Sequence, residues 1–196
     1  MKILALVSSF RKQGNTARIV ELIAAEMDAL ASAHDTPLEF ETLYLAHMDI
    51  KMCRGCRTCF DCGEEKCPLQ DDVPAIKAKL DAADAFVFAS PVYVDDVNGV
   101  AKNWIDRMAY LCHRPSLAGK CTYLIATVAD SPTQHTLRTM NMSVRTWGVH
   151  IVGQAGFKMG ALMHQAEVER RYQAKTTKIA QAFFHAIAEK RYLRPS

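Results

Sequence analysis

Three short runs without a charged residue, Ile3–Val7, Ala85–Ala89 and Cys121–Val128, limit what this chain can fold into more than any other feature. Each is too short to be a buried helix. Each is apolar at odd and even positions alike, which is the pattern of a strand covered on both faces rather than on one. Strands buried on both sides need helices above and below them. The segments between them supply these, with apolar residues at helical spacing: Ile19, Ile23, Met27 and Leu30 in one, Val100, Trp104, Ile105, Met108 and Leu111 in another. The combination predicts a parallel sheet wound with right-handed crossovers.

Taken in order, the chain reads as strand, helix from Asn15 or Thr16, and an edge strand at Leu38–Leu45 whose start alternates apolar and polar residues. A non-periodic segment, Ala46–Asp72, follows. Asp72 and Pro74 then open a helix running to Ala83, an aspartate serving as cap and proline fitting the first turn. The Ala85–Ala89 strand ends in a loop, Ser90–Asn98, and a helix runs from Asn98 to Cys112. After Cys121–Val128 come a helix at Thr133–Trp147, a fifth strand at Val149–Val152, and a closing helix at Gln165–Tyr192. With 196 residues and 49% hydrophobic content, one core and one domain, 1–196, is the expectation, with a cysteine-rich loop, 48–72, inserted after strand two.

The turn after the first strand, Ser8-Ser9-Phe10-Arg11-Lys12-Gln13-Gly14-Asn15-Thr16, is where an anion is expected. A helix start leaves backbone N–H groups unpaired and carries the positive end of the helix dipole. Arg11 and Lys12 add like charge to that end, which is unfavourable unless something negative neutralises them. The plain alternative is a turn whose Ser and Thr merely cap the helix. The stretch has neither G-x-x-x-x-G-K-[ST] nor G-x-G-x-x-G, so a single terminal phosphate fits better than a nucleoside triphosphate or a dinucleotide.

This turn resembles the phosphate loop of the NADPH-dependent FMN reductase branch of the flavodoxin-like superfamily, G-S-x-R-x-x-G-N-T, with Ser8 in place of its first glycine. The resemblance implies a flavodoxin-like three-layer sandwich with a five-stranded parallel sheet in the order 2-1-3-4-5. It implies FMN phosphate contacts from Ser9, Arg11, Gly14, Asn15 and Thr16. Ser90-Pro91-Val92-Tyr93 is similar to the S-P-V-Y loop that faces the isoalloxazine, which brings in Pro91, Val92, Tyr93 and Val94. Lys102, Asp106 and Arg107 match the family's K-x-x-x-D-R helix. The third loop, with Ala129 and Asp130, departs from the T-G-G of many relatives but occupies the same place beyond the sheet. In doubly wound sheets the ligand lies past the strand C-termini where strand order reverses, a rule for which FMN in flavodoxin is the standing example.

Five of the seven cysteines fall between Cys53 and Cys67. Cys53, Cys56, Cys59 and Cys67, spaced C-x2-C-x2-C-x7-C, resemble the compact motif of iron-sulfur flavoproteins and would hold a [4Fe-4S] cluster, leaving Cys62 spare. Relatives without a cluster keep a C-x-G-C-x-x-C…C-x-x-x-D-D loop, which Cys56, Cys59, Cys67, Asp71 and Asp72 match equally. Both readings stand at this point. Zinc is less suited, because structural zinc sites usually pair two knuckles across a longer loop. Cys112 and Cys121 stand apart and read as small core filler.

The implied activity is an FMN-dependent oxidoreductase moving electrons from NAD(P)H to a flavin, quinone or similar small-molecule acceptor, with no side chain required as acid or nucleophile. An iron-sulfur electron carrier is one alternative. A non-catalytic flavodoxin-type shuttle or thiol redox sensor is another. The net charge of +3 is spread along the chain, so nucleic acid is not implied. No apolar run approaches the roughly 18 residues of a membrane span, and the strand opening at Lys2 leaves no signal peptide, so a cytoplasmic protein is expected. The resemblance further implies a homodimer or larger assembly. His113 and His135 are the histidines nearest the expected crevice, and Gly153-x-x-Gly156 lacks the spacing of a second dinucleotide site.

Overall fold

The computed structural model describes residues 1–160 and 162–189. The first run forms β1 (Lys2–Val7), buried from Ile3 onward, and turns into α1 (Asn15–Ala33). An edge strand, β2 (Glu39–Tyr44), leads into the cysteine-rich segment, which holds α2 (Thr58–Asp61) and a 3-10 turn at Glu64–Lys66. Then come α3 (Val73–Ala82), β3 (Ala85–Tyr93), β4 (Asp96–Val97) and α4 (Gly99–Arg107). The chain closes with β5 (Cys121–Val128), α5 (Gln134–Arg145), β6 (His150–Lys158) and α6 (Gln165–Ala188).

The main sheet runs β2-β1-β3-β5-β6, all neighbours parallel. Without the two-residue β4 in the count, this is the expected order 2-1-3-4-5. Successive residues of a strand point to opposite faces, and β1 shows the consequence. Ile3, Ala5 and Val7 pack with α1 and α6 residues such as Ile19, Ile23, Ile179 and Phe183. Leu4 and Leu6 pack on the other side with Ile76, Trp104 and Met140 of α3, α4 and α5. The result is the three-layer sandwich.

Several boundaries differ from the sequence expectation. β3 continues through Pro91 to Tyr93 and folds back through Val94 and Asp95 onto β4, an antiparallel hairpin in place of the expected loop. Nothing in Val94-Asp95 carries the Asn-Gly signature of such a turn. The fourth helix stops at Arg107, and Ala109–Cys112 forms a separate 3-10 turn. β6 is far longer than Val149–Val152, and Gly153 and Gly156 lie inside it. Gly153 is there for space, since a Cβ would come 2.7 Å from the Tyr123 ring. Cys121 is buried as expected, but Cys112 is exposed and is no core filler. Tyr192, the expected end of the closing helix, lies outside the described residues.

Candidate functional site

Three loops meet beyond the C-terminal ends of β1, β3 and β5, and buried hydrogen bonds lock them together. The Asn98 Nδ2 donates to the Ser8 carbonyl at 2.8 Å, while its Oδ1 accepts from the Ala101 N–H at 3.0 Å and so caps α4. Thr16 Oγ1, in the first turn of α1, lies 2.6 Å from Thr127 Oγ1 at the end of β5. The Asn15 Oδ1 accepts from the Met163 N–H at 2.9 Å and its Nδ2 donates to the Gly160 carbonyl at 3.3 Å. Asn98 thus ties the chain after β4 to the end of β1, Thr16 ties α1 to β5, and Asn15 ties α1 to the segment after β6.

Within this frame Ser9, Arg11, Gly14, Asn15 and Thr16 form a tight turn. Ser9 Oγ accepts from the Arg11 N–H at 3.1 Å, and the Gly14 N–H donates to the Arg11 carbonyl at 3.1 Å. α1 starts after Gly14 with no side-chain cap. The amides at its start are therefore left to an external acceptor, and the side chain of Arg11 is exposed beside them. A Cβ at Gly14 would stand 2.9 Å from Arg11 Cβ and 3.1 Å from the Arg11 carbonyl oxygen, so the turn closes only around a glycine. Uncapped amides beside an exposed guanidinium are the groups an anion needs, and in chemistry they fit the FMN phosphate. The Ser9, Asn15 and Thr16 side chains are occupied by bonds within the protein, so backbone amides and Arg11 are the groups presented outward.

Pro91 and Val92 are half-buried on β3, whereas Tyr93 is 43% exposed and Val94 fully exposed at the hairpin tip. Ala129 and Asp130 are exposed on the third loop, where Asp130 lies 3.5 Å from Lys158. The hairpin is tied to α5 by Thr139 Oγ1, 3.1 Å from Asp96 Oδ2, and His135 lies 3.5 Å from the same carboxylate. His113 instead sits beside Phe60 of the cysteine-rich segment, ring centroids 5.3 Å apart.

The cysteine-rich segment builds a second site. A cavity of about 720 Å³ is lined by Cys53, Cys56, Cys59 and Cys67, but not by Cys62, together with Tyr110 and Arg107. Cys56 is pulled below the usual thiol range by the hydroxyl and backbone of Thr58. Cys59 is pushed up by burial and then by the neighbouring Cys67 and Cys53 sulfurs. The donor set is soft, as an iron-sulfur cluster requires. As they stand, no three of the described His, Cys, Asp and Glu side chains are drawn close enough to hold an ion.

A buried clasp closes the segment. The Arg107 guanidinium forks onto Asp71, the two side chains being 4% and 0% exposed, and Nη1 also donates to the Lys51 carbonyl at 2.8 Å. Asp71 accepts in addition from the Lys51 and Val73 N–H groups, at 3.0 and 3.2 Å. Burial works to raise the Asp71 carboxyl, but these bonds outweigh it and hold it below the ordinary value. Asn103 Oδ1 accepts from the Cys53 N–H at 3.1 Å, and Asp72 accepts from the Asp49 N–H at 2.8 Å. The motifs C-x-x-x-D-D and K-x-x-x-D-R are visible in sequence, but that the first aspartate of one pairs with the arginine of the other is not.

The profile of the NADPH-dependent FMN reductase family matches residues 1–161. The chain belongs to that family. As a member it is an FMN-dependent oxidoreductase with a flavodoxin-like fold. An iron-sulfur flavoprotein of Archaeoglobus fulgidus is 29% identical over 197 residues, all of this chain and 84% of that protein. Three further iron-sulfur flavoproteins match over parts only, the alignments covering about half the length of each. Among solved structures, an apo NADH:FMN oxidoreductase superposes with a TM-score of 0.67 at 17% identity, over 93% of this chain and 88% of that one. Flavodoxin from Megasphaera elsdenii superposes at 0.55 with 12% identity, over 92% and 98%. These structures share the fold. No helix among the described residues is long and apolar enough to cross a membrane.

Proposed function

We propose that this family member takes electrons from NAD(P)H and passes them to a small-molecule acceptor such as a quinone or a free flavin. One observation carries the reading. The loops after β1, β3 and β5 are pinned together by Asn98 and by the Thr16–Thr127 contact, and on this reading donor and acceptor use one site there in turn. FMN, when bound, supplies the hydride acceptance and release. The amides opening α1, with Arg11, take its phosphate, and the Val92–Val94 backbone and the exposed Tyr93 ring flank the flavin. Ala129 and Asp130 border the same crevice. Initial rates of NAD(P)H oxidation at several quinone concentrations test this. Parallel lines are expected; intersecting lines, the mark of a ternary complex, would remove the shared crevice.

A second feature belongs to the proposal because Cys53, Cys56, Cys59 and Cys67 line one cavity and Cys62 does not. These four would hold a [4Fe-4S] cluster, which supplies one-electron chemistry when bound. About four irons per chain are expected after anaerobic reconstitution, lost in Cys56→Ser and retained in Cys62→Ser. Iron absent from the reconstituted wild type would leave the segment as a cover for the clusterless enzyme, and iron equally retained by both variants would remove Cys56 from the ligand set. A cytoplasmic setting that keeps the thiols reduced, and a homodimer or larger assembly, complete the reading. Sedimentation of the FMN-loaded protein tests the assembly.

A further inference from the structure

We infer that His47, together with the Tyr44 hydroxyl, is a positioning residue for the FMN phosphate: the pair draws the carbonyls of the turn after β1 away from the anion, so that the amides of that turn face it. The inference rests on the reading that this turn takes the phosphate, and it assigns a role to residues that lie outside the turn.

Sheet order sets the geometry. β1 lies between β2 and β3, and its last residue, Val7, pairs with Tyr44, the last of β2. The turn after β1 therefore has the end of β2 on one side and the end of β3 on the other. A 3-10 turn, Leu45–His47, directly follows β2 and carries His47 against the phosphate turn. His47 Nε2 lies 2.9 Å from the Phe10 carbonyl oxygen, and because a carbonyl only accepts, that ring nitrogen carries the proton. The Tyr44 hydroxyl donates to the Lys12 carbonyl at 3.4 Å. The two rings stand edge to face with centroids 6.3 Å apart, so each supports the other.

No peptide bond among the described residues is cis, and in a trans peptide the C=O and the following N–H point opposite ways. Holding the Phe10 and Lys12 carbonyls toward β2 therefore turns the Arg11 and Gln13 N–H groups toward the β3 side. The Arg11 N–H meets Ser9 Oγ at 3.1 Å, whereas the Gln13 N–H has no acceptor among the described residues. Successive N–H groups facing one way make an anion site, and a carbonyl swung among them would present its negative end to the phosphate instead.

The test uses the full chain, stripped of flavin and titrated by fluorescence quenching with FMN and, separately, with riboflavin, which is FMN without the phosphate. His47→Ala, Tyr44→Phe and the double variant are compared with wild type. His47→Gln is the rescue, because its side-chain amide carries an N–H near the place of Nε2. Tyr44→Phe removes only the hydroxyl and keeps the ring, whose centroid lies 5.8 Å from the Lys12 ammonium. Each lost hydrogen bond should weaken FMN binding about two- to tenfold, and the double variant about ten- to fiftyfold. Riboflavin affinity should stay at the wild-type level throughout, and His47→Gln should recover most of the FMN affinity. An unchanged FMN affinity in the double variant overturns the inference. So does an equal loss for FMN and riboflavin, which would make the pair a support of the fold alone. Arg11→Ala tells these failures from failure of the phosphate reading. If it weakens FMN while the double variant does not, the phosphate stays in the turn and only the brace is removed. A wild type that binds riboflavin as tightly as FMN would remove the phosphate site and the brace together.

Discussion

A methyl group added at Gly14 would meet Arg11 at both Cβ and carbonyl oxygen, at 2.9 and 3.1 Å. The backbone there is extended, with φ −87° and ψ 173°, so any residue could adopt it; the constraint is room. Gly14→Ala should push Arg11 outward and spoil the amide cradle, costing about 1–3 kcal/mol of strain and at least about tenfold in FMN affinity. Arg11→Ala leaves the turn intact and removes a charge-assisted contact worth roughly 1.5–3 kcal/mol, so about a tenfold to hundredfold weaker FMN complex is expected. Flavin fluorescence quenching measures both. Affinity unchanged in Arg11→Ala would place the phosphate elsewhere. Asp71 is read through pH. Its folded value lies below the ordinary one, so its contribution to stability is present above the unfolded value near 3.9 and is lost as pH falls through the folded value. Asp71→Asn, which strands the buried Arg107, should cost roughly 3–5 kcal/mol at pH 7 and less at a pH low enough to protonate the wild-type carboxyl in the folded protein. Urea unfolding at the two pH values checks the difference; an equal loss at both would show that the charge of Asp71 is not what matters.

At the scale of elements, the β3–β4 hairpin is the least expected piece. Val94 and Asp95 have φ of +49° and +65°, the left-handed pair that a two-residue hairpin needs and that Asn-Gly supplies without cost. A β-branched residue there is strained by about 1–2 kcal/mol, and full exposure of Val94 gives nothing back from packing. Replacing Val94-Asp95 by Asn-Gly should stabilise the protein by about 1–2 kcal/mol and lift Tm by about 2–4 °C per kcal/mol. An unchanged Tm would mean that the strain is relieved by motion at the tip. The same residues show why the sequence was legible only in part. Runs such as Ile3–Val7 and Ala85–Ala89 announce buried strands because burial on both faces erases polar positions. Val94-Asp95 announces nothing, since its conformation is imposed by Ser90 and Asn98 beneath it and by Thr136 and Thr139 of α5. β6 was short in sequence for a related reason: Gly153 and Gly156 read as loop until the Tyr123 ring fills the space a side chain would take. In the site, motif spacing pointed to the phosphate turn and to the four cysteines. The Arg107–Asp71 pair joins residues 36 apart along the chain, a distance at which local pattern carries no information.

On the scale of the molecule, α4 connects the two sites. Its cap, Asn98, bonds the Ser8 carbonyl just before the phosphate turn; Asn103 at its middle holds the Cys53 amide; Arg107 at its end holds Asp71. Nine residues at 1.5 Å each span about 13 Å, so the flavin crevice and the cysteine cavity are set at a fixed separation by one short rod packed on the sheet through Ala101 and Trp104. The helix is anchored independently at each end, and that makes the coupling testable. Asn98→Ala removes the cap, worth about 0.5–2 kcal/mol, and leaves the buried Ser8 carbonyl without its donor, worth about 1–3 kcal/mol. Both losses fall at the flavin end. Groups more than about 7–10 Å apart with no shared partner act nearly additively, so the clasp of Asn103 and Arg107 should survive. We expect FMN to bind about tenfold more weakly in Asn98→Ala, while iron per chain after reconstitution stays at the wild-type level. Should iron and FMN be lost in step, the two ends would form one cooperative unit and α4 would transmit disorder rather than confine it.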